Sequence, residues 1–130
     1  MAQRPLEASK PGHAGPAEIF RALQDAIAVR DADAIAALYA EDAEIEVINR
    51  NHPPGKSMVV KGREAIRRLY GDLLKVEAVH QSAKTVISDS GFAFEERCRF
   101  PDNTRVAGNC IAEIRGGRIW RQSNVDVWDE

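Results

Sequence analysis

The second half of the chain constrains the fold most. Residues 76–87, 92–100, 105–114 and 118–128 read as four long strands. The turns between them are Asp89-Ser90-Gly91, Pro101-Asp102-Asn103 and Gly116-Gly117. Long strands joined by such short turns pair as an antiparallel meander. Strands of this length twist, so the sheet curves. A sheet must bury one face, and the segments that precede it are largely helical. The expectation is a two-layer α+β domain.

Those helices are legible from apolar spacing. Pro16 suits a first turn, and Ile19, Phe20, Leu23 and Ile27 follow helical period. Asp33 is positioned to cap a second helix carrying Ile35, Leu38 and Tyr39. Residues 43–48 alternate as a strand with Ile45 and Val47 inward. Residues 49–56 form a loop broken by Pro53, Pro54 and Gly55, and residues 58–60 read as a short edge strand or an extended arm. Ile66, Leu69, Tyr70, Leu73 and Leu74 mark the buried stripe of a third helix after Gly62 and Arg63. Residues 1–15, with Pro5, Pro11, Gly12 and Gly15, read as a disordered leader, and residues 16–130 as the domain. A curved sheet covered by three N-terminal helices encloses a conical hollow, where a small, largely apolar ligand would sit.

Composition excludes several classes. The chain has 130 residues and a net charge of -2, which offers no basic footprint for nucleic acid. No apolar run approaches the roughly 20 residues of a membrane span, and no signal-type stretch opens the chain. The cytoplasm is the expected location. Cys98 and Cys110 are the only cysteines, and both read as small core thiols rather than a disulfide. No sequence spacing suggests a metal site or a histidine beside either cysteine, so no metal and no cofactor are expected.

The last strand carries the chemistry. Alternation places Gln122, Asn124 and Asp126 on one face, and Arg121, Ser123, Val125 and Val127 on the other. Either this strand faces water with Val125 and Val127 as core contacts, or its polar face is the wall of a pocket. In the pocket, burial would raise the pKa of Asp126 into the range useful for proton transfer, and the two amides would hold a substrate oxygen. Glu96 shares a face with Phe92, Phe94, Cys98 and Phe100, so it is a second pocket acid or the partner of an arginine such as Arg105 or Arg121. His52 in the Asn51-His52-Pro53-Pro54 loop, Tyr39 and Trp120 are candidate substrate contacts. His80, on a strand, has the weaker claim.

The order helix, helix, strand, helix and four-strand meander resembles the nuclear-transport-factor-2-like superfamily. The closer resemblance is to its SnoaL-like branch, the polyketide cyclases. It is carried by residues 30–43 (RDADAIAALYAEDA), by Gly62-Arg63-Glu64-Ala65-Ile66, and by Gly117-Arg118-Ile119 leading to Asp126. The resemblance implies a cone-shaped fold, an acid/base role for Asp126, and homodimers packed through the sheet. It places Leu23, Cys110 and Val47 where ketosteroid isomerases carry their oxyanion donors and base, and none of these side chains can serve. The histidine of the cyclases' preceding strand has no counterpart in residues 105–114. Two functions follow as expectations: a cofactor-free cyclase or isomerase acting on an enolisable apolar substrate, or a binding or scaffold module without chemistry. If the polar residues face inward, Val106, Ile119, Val125 and Val127 form an outer apolar patch for a second copy.

Overall fold

Pro16 opens α1 (Pro16–Ala28), and the Gly15 N–H donates to the Glu18 carboxylate at 3.0 Å. Ile19, Leu23 and Ala26 form its buried stripe. The computed structural model describes residues 14–130, so residues 1–13 of the leader expected over residues 1–15 lie outside the described residues. Ala14 packs against the core, and Gly15 is the N-cap of α1.

Helix α2 (Ala32–Ala36) is shorter than expected, and its cap is Asp31 rather than Asp33. The Asp31 carboxylate accepts the Ala34 N–H at 3.0 Å. Tyr39 does not end a helix; it begins β1 (Tyr39–Ile48). The helix-favouring run Ala40-Glu41-Asp42-Ala43 is overridden by strand pairing, an effect of tertiary context on local propensity. Strand β2 (Met58–Lys61) then pairs antiparallel with β1 at the sheet edge, so of the two readings of residues 58–60 the edge strand holds.

Helix α3 (Arg63–Leu73) buries Ile66 fully and packs Leu69 and Tyr70 on the core, while Leu73 is exposed. The Arg30 guanidinium reaches the carbonyls of Leu74, Val76 and Ala78 at 2.9, 3.0 and 3.3 Å. One arginine thus ties the α1–α2 turn to the end of α3 and to the lead-in of the next strand.

The meander comprises β3 (Val79–Ile87), β4 (Gly91–Arg99), β5 (Arg105–Arg115) and β6 (Arg118–Trp128). The strand order is β2-β1-β6-β5-β4-β3. All neighbours are antiparallel except β1 and β6, which run parallel, so the sheet is mixed. Leu23, Ile35, Tyr39, Ile45, Ile66 and Ile119 are fully enclosed between sheet and helices. The architecture is α+β, with the three α-helices of the described residues on the inner face.

A register shift between Glu113 and Ile114 breaks the alternation at the start of β6. Ile119 and Gln122, three residues apart, consequently both face the core. The expectation that Ile119 lies outward is therefore corrected: it is 0% exposed. Val106 is corrected too, because it pairs with Cys98 and Trp128 on the inner face. The outer face instead exposes Val86, Ile111, Val125 and Val127.

Candidate active site

Strand register stacks the inner face into four rows. The deepest joins Ile45, Gln122, Ala112 and Phe92. The next joins Val47, Asn124, Cys110 and Phe94. The third joins Asp126, Gly108, Glu96 and Ser82, and the fourth Trp128, Val106, Cys98 and His80. Phe20 on α1 stacks edge-on against Phe92 and Phe94, with centroids 5.3 and 5.4 Å apart. The rows thus pass from a closed aromatic end to a polar, half-buried mouth. Pairing of β1 with β6 ends at Ile48 and Val125, so Asp126 lies just past the end of β1.

At the deep end, Gln122 is only 5% exposed, and its amide organises the polar groups around it. Tyr39 donates its hydroxyl proton to Gln122 Oε1 at 2.5 Å. The Tyr39 and Tyr70 oxygens are 3.0 Å apart. A hydroxyl has one proton, and that of Tyr39 is spent on Gln122, so Tyr70 donates to Tyr39. Gln122 Nε2 donates to Tyr70 Oη at 3.3 Å and to Asn124 Oδ1 at 2.9 Å. The ring closes on itself. Burial raises the Tyr70 pKa to about 12 and pushes Tyr39 well above its usual range, so both stay neutral. Neither hydroxyl is free to serve a ligand. Both Gln122 donors are likewise committed, whereas the Asn124 N–H groups have no partner among the described residues. Asn124 is therefore the oriented donor of this wall, and Gln122 holds it in place.

Asp126 lies over a gap made for it. A Cβ on Gly108 would sit 2.1 Å from Asp126 Oδ1. The absent side chain lets the carboxylate lean across β5 toward Glu96, in the same row. Burial first, and the negative Glu96 second, raise the Asp126 pKa to about 6. A carboxyl of that kind exchanges protons near neutral pH. Burial, with the Glu96 and Asp126 charges adding to it, also pushes the Cys110 thiol far up, which leaves it inert.

Glu96 does not pair with Arg105 or Arg121. Its Oε2 is 3.5 Å from His80 Nδ1, and the same nitrogen is 3.2 Å from Cys98 Sγ. Arg105 binds Asp129, on the outer face. The Cys98 sulfur first and Glu96 second hold the imidazolium form, raising the His80 pKa to about 10. A histidine does lie beside a cysteine, then, contrary to the sequence expectation. His80, Glu96 and Cys98 bring N, O and S ligand atoms within 4.8 Å of one another. Sequence spacing hid this set because it spans two strands whose register includes a shift between Ser82 and Lys84.

The other expected contacts fall elsewhere. His52 is held in a turn by its backbone, which exchanges hydrogen bonds with Asn49, and its side chain has no hydrogen bond among the described residues. The Trp120 ring carries the guanidinium groups of Arg115 and Arg121, 4.6 and 4.4 Å from its centroid, away from the Asp126 row. Three participants were missed. Helical spacing places Tyr70 in an apolar stripe, although its hydroxyl closes the ring. Gly108 carried a usable signal, since a glycine inside a strand marks close approach of another group. Gln24 Oε1 accepts from Ser82 Oγ at 3.0 Å, and its enclosed Nε2 finds no partner among the described residues. A water or a ligand oxygen would complete it. An open depression of about 640 Å³ at this end of the sheet is lined by Arg97, Arg99, Arg105, Val79 and Val127, and reaches Cys98, Val106 and Trp128 of the fourth row.

Solved structures share the fold. An NTF2-like protein of unknown function from Mesorhizobium loti superposes with a TM-score of 0.76 at 20% identity, over 97% of this chain and 95% of that one. A candidate ketosteroid isomerase from Kribbella flavida gives 0.69 at 22% identity, over 87% and 76%. A candidate polyketide cyclase from Sinorhizobium meliloti gives 0.66 at 23% identity, over 82% and 93%. No curated protein sequence matches significantly. The profile of the SnoaL-like domain matches residues 20–122, which span both ends of the Tyr39–Tyr70–Gln122 ring and all of β3 to β5. With that match over most of its length and the NTF2-like architecture throughout, this chain belongs to the SnoaL-like domain family.

Proposed function

We propose that this chain is a small-molecule enzyme of cyclase or isomerase type, with Asp126 moving a proton at a carbon beside a carbonyl. The observation that carries the reading is the placement of Asp126 over Gly108, on the same face as Asn124 and Gln122. The carboxylate takes the proton, and the Asn124 amide donates to the oxygen where negative charge develops. Gln122, locked by two tyrosines, orients Asn124. Glu96 raises the proton affinity of Asp126 and faces His80. Phe92, Phe94 and Val47 favour an apolar, enolisable substrate. Both cysteines are free, which suits a reducing compartment such as the cytoplasm. No helix among the described residues is long and apolar enough to cross a membrane.

The test is turnover of a panel of enolisable polycyclic ketones and esters by the parent protein and Asp126→Asn. Loss of a general acid/base costs at least about 100-fold. A rate within about threefold of the parent removes Asp126 from that role. The second reading, a binding module without chemistry, is favoured by one feature: both tyrosine hydroxyls are spent within the ring, leaving no phenolic oxyanion donor. On that reading panel members raise the melting temperature of both proteins and neither turns them over.

A further inference from the structure

We propose that His80, Glu96 and Cys98 form a binding site for a divalent transition metal of zinc type, at the half-buried polar end of the inner face. The side chains come from adjacent strands: His80 pairs directly with Cys98, and Glu96 lies one step along the same face of β4. All three project to the inner side, and their donor atoms lie within 4.8 Å of one another.

The geometry separates this from a catalytic cysteine. In a nucleophile–base–orienter triad the imidazole uses both nitrogens, one toward the thiol and the other toward the acid. Here both neighbours address the same nitrogen, Nδ1: Sγ at 3.2 Å and Oε2 at 3.5 Å. Three donors that converge on one point suit a central cation rather than a linear relay. The separations agree with this. Zinc bound tetrahedrally at about 2.0–2.1 Å to nitrogen or oxygen and about 2.3 Å to sulfur sets N···S near ~3.6 Å and N···O near ~3.3 Å. The two distances each lie within about 0.4 Å of those tetrahedral edges.

The donor types choose the metal class. A thiolate with an imidazole and a carboxylate suits zinc over magnesium or calcium, which take oxygen ligands. Three protein ligands leave one position for water or a ligand oxygen. Glu96 shares its row with Asp126, so that position opens beside the candidate acid. The proposal does not rest on turnover: metal binding and proton transfer can each fail alone.

The experiment is a titration of tag-free, full-length, reduced protein with Co(II), followed by displacement with Zn(II). One equivalent of Co(II) should give a thiolate-to-cobalt charge-transfer band in the near ultraviolet, with tetrahedral d–d absorption in the visible. Zn(II) should erase both. Cys98→Ser should abolish the charge-transfer band. His80→Gln should weaken Zn(II) binding by at least about 100-fold, because even residues that only support metal ligands cost 10–100-fold when replaced. Cys110→Ala should leave the spectrum intact. The absence of a charge-transfer band in the parent protein would overturn the site, as would a band that survives Cys98→Ser. Because His80 is an exposed residue, His80→Gln keeps the test decisive even if Cys98→Ser fails to fold.

Discussion

At the scale of single residues, the candidate site depends on a side chain that is absent. Gly108→Ala would place a Cβ 2.1 Å from Asp126 Oδ1, the free end of a flexible carboxylate. The backbone there is not left-handed, so alanine is tolerated, and stability should hold or rise by up to about 1 kcal/mol. Turnover should nevertheless fall on the order of 100-fold, because the acid is displaced from its working position. Urea denaturation and turnover measured on the same variant check the pair; a clear loss of stability, or unchanged turnover, contradicts it. Gly91→Ala is the contrast, since its Cβ would meet the Ala112 backbone oxygen at 2.0 Å and cannot be accommodated by a side-chain shift. The face shared by Gln122, Asn124 and Asp126 was legible in β6 from simple alternation. The partners of those residues were not. Tyr70 joins Gln122 from 52 positions away, and His80 joins Glu96 from a different strand. Such contacts depend on register and helix rotation, which a single sequence does not encode locally.

At the scale of elements, the sequence pattern predicts β6 to its observed ends and the meander nearly so, because long alternating strands with tight turns leave little choice. Where local propensity and tertiary pairing disagreed, pairing won. Tyr39 moved from helix to strand because its segment lies between β2 and β6. The outward placement of Ile119 failed because one register shift inverts the alternation on one side of it. Arg30 lies in the family signature, where spacing gives it no structural role, yet it binds three carbonyls across the α3–β3 junction. Arg30→Ala should destabilise the fold by about 1.5–3 kcal/mol, the range for hydrogen bonds to a charged group. Amide hydrogen exchange should quicken first over residues 74–79, ahead of the sheet. Uniform loss of protection, or none, would show that the arginine does not anchor this junction.

At the scale of the whole molecule, the helices cover one face of the sheet and leave the other with Val86, Ile111, Val125 and Val127 exposed. Exposed apolar area of this kind is unfavourable at roughly 25 cal/mol per Å², and a second copy related by a two-fold axis is the common cover. Arg97, Arg99 and Glu113 lie on the same face and make the expected homodimer interface partly polar. Sedimentation equilibrium at micromolar loading should give twice the 14.4 kDa chain mass, and Ile111→Asp should return it to the single-chain value. A single-chain mass for the parent protein at every loading rejects the dimer. The central claim concerns the other face, where burial and Glu96 act on Asp126. Its most direct test is a carboxyl-carbon NMR titration of the parent protein beside Asp126→Asn, which identifies the Asp126 resonance by its disappearance. The account predicts a midpoint of about 6 for that resonance. A midpoint near the ordinary aspartate value of roughly 3.9 would contradict it.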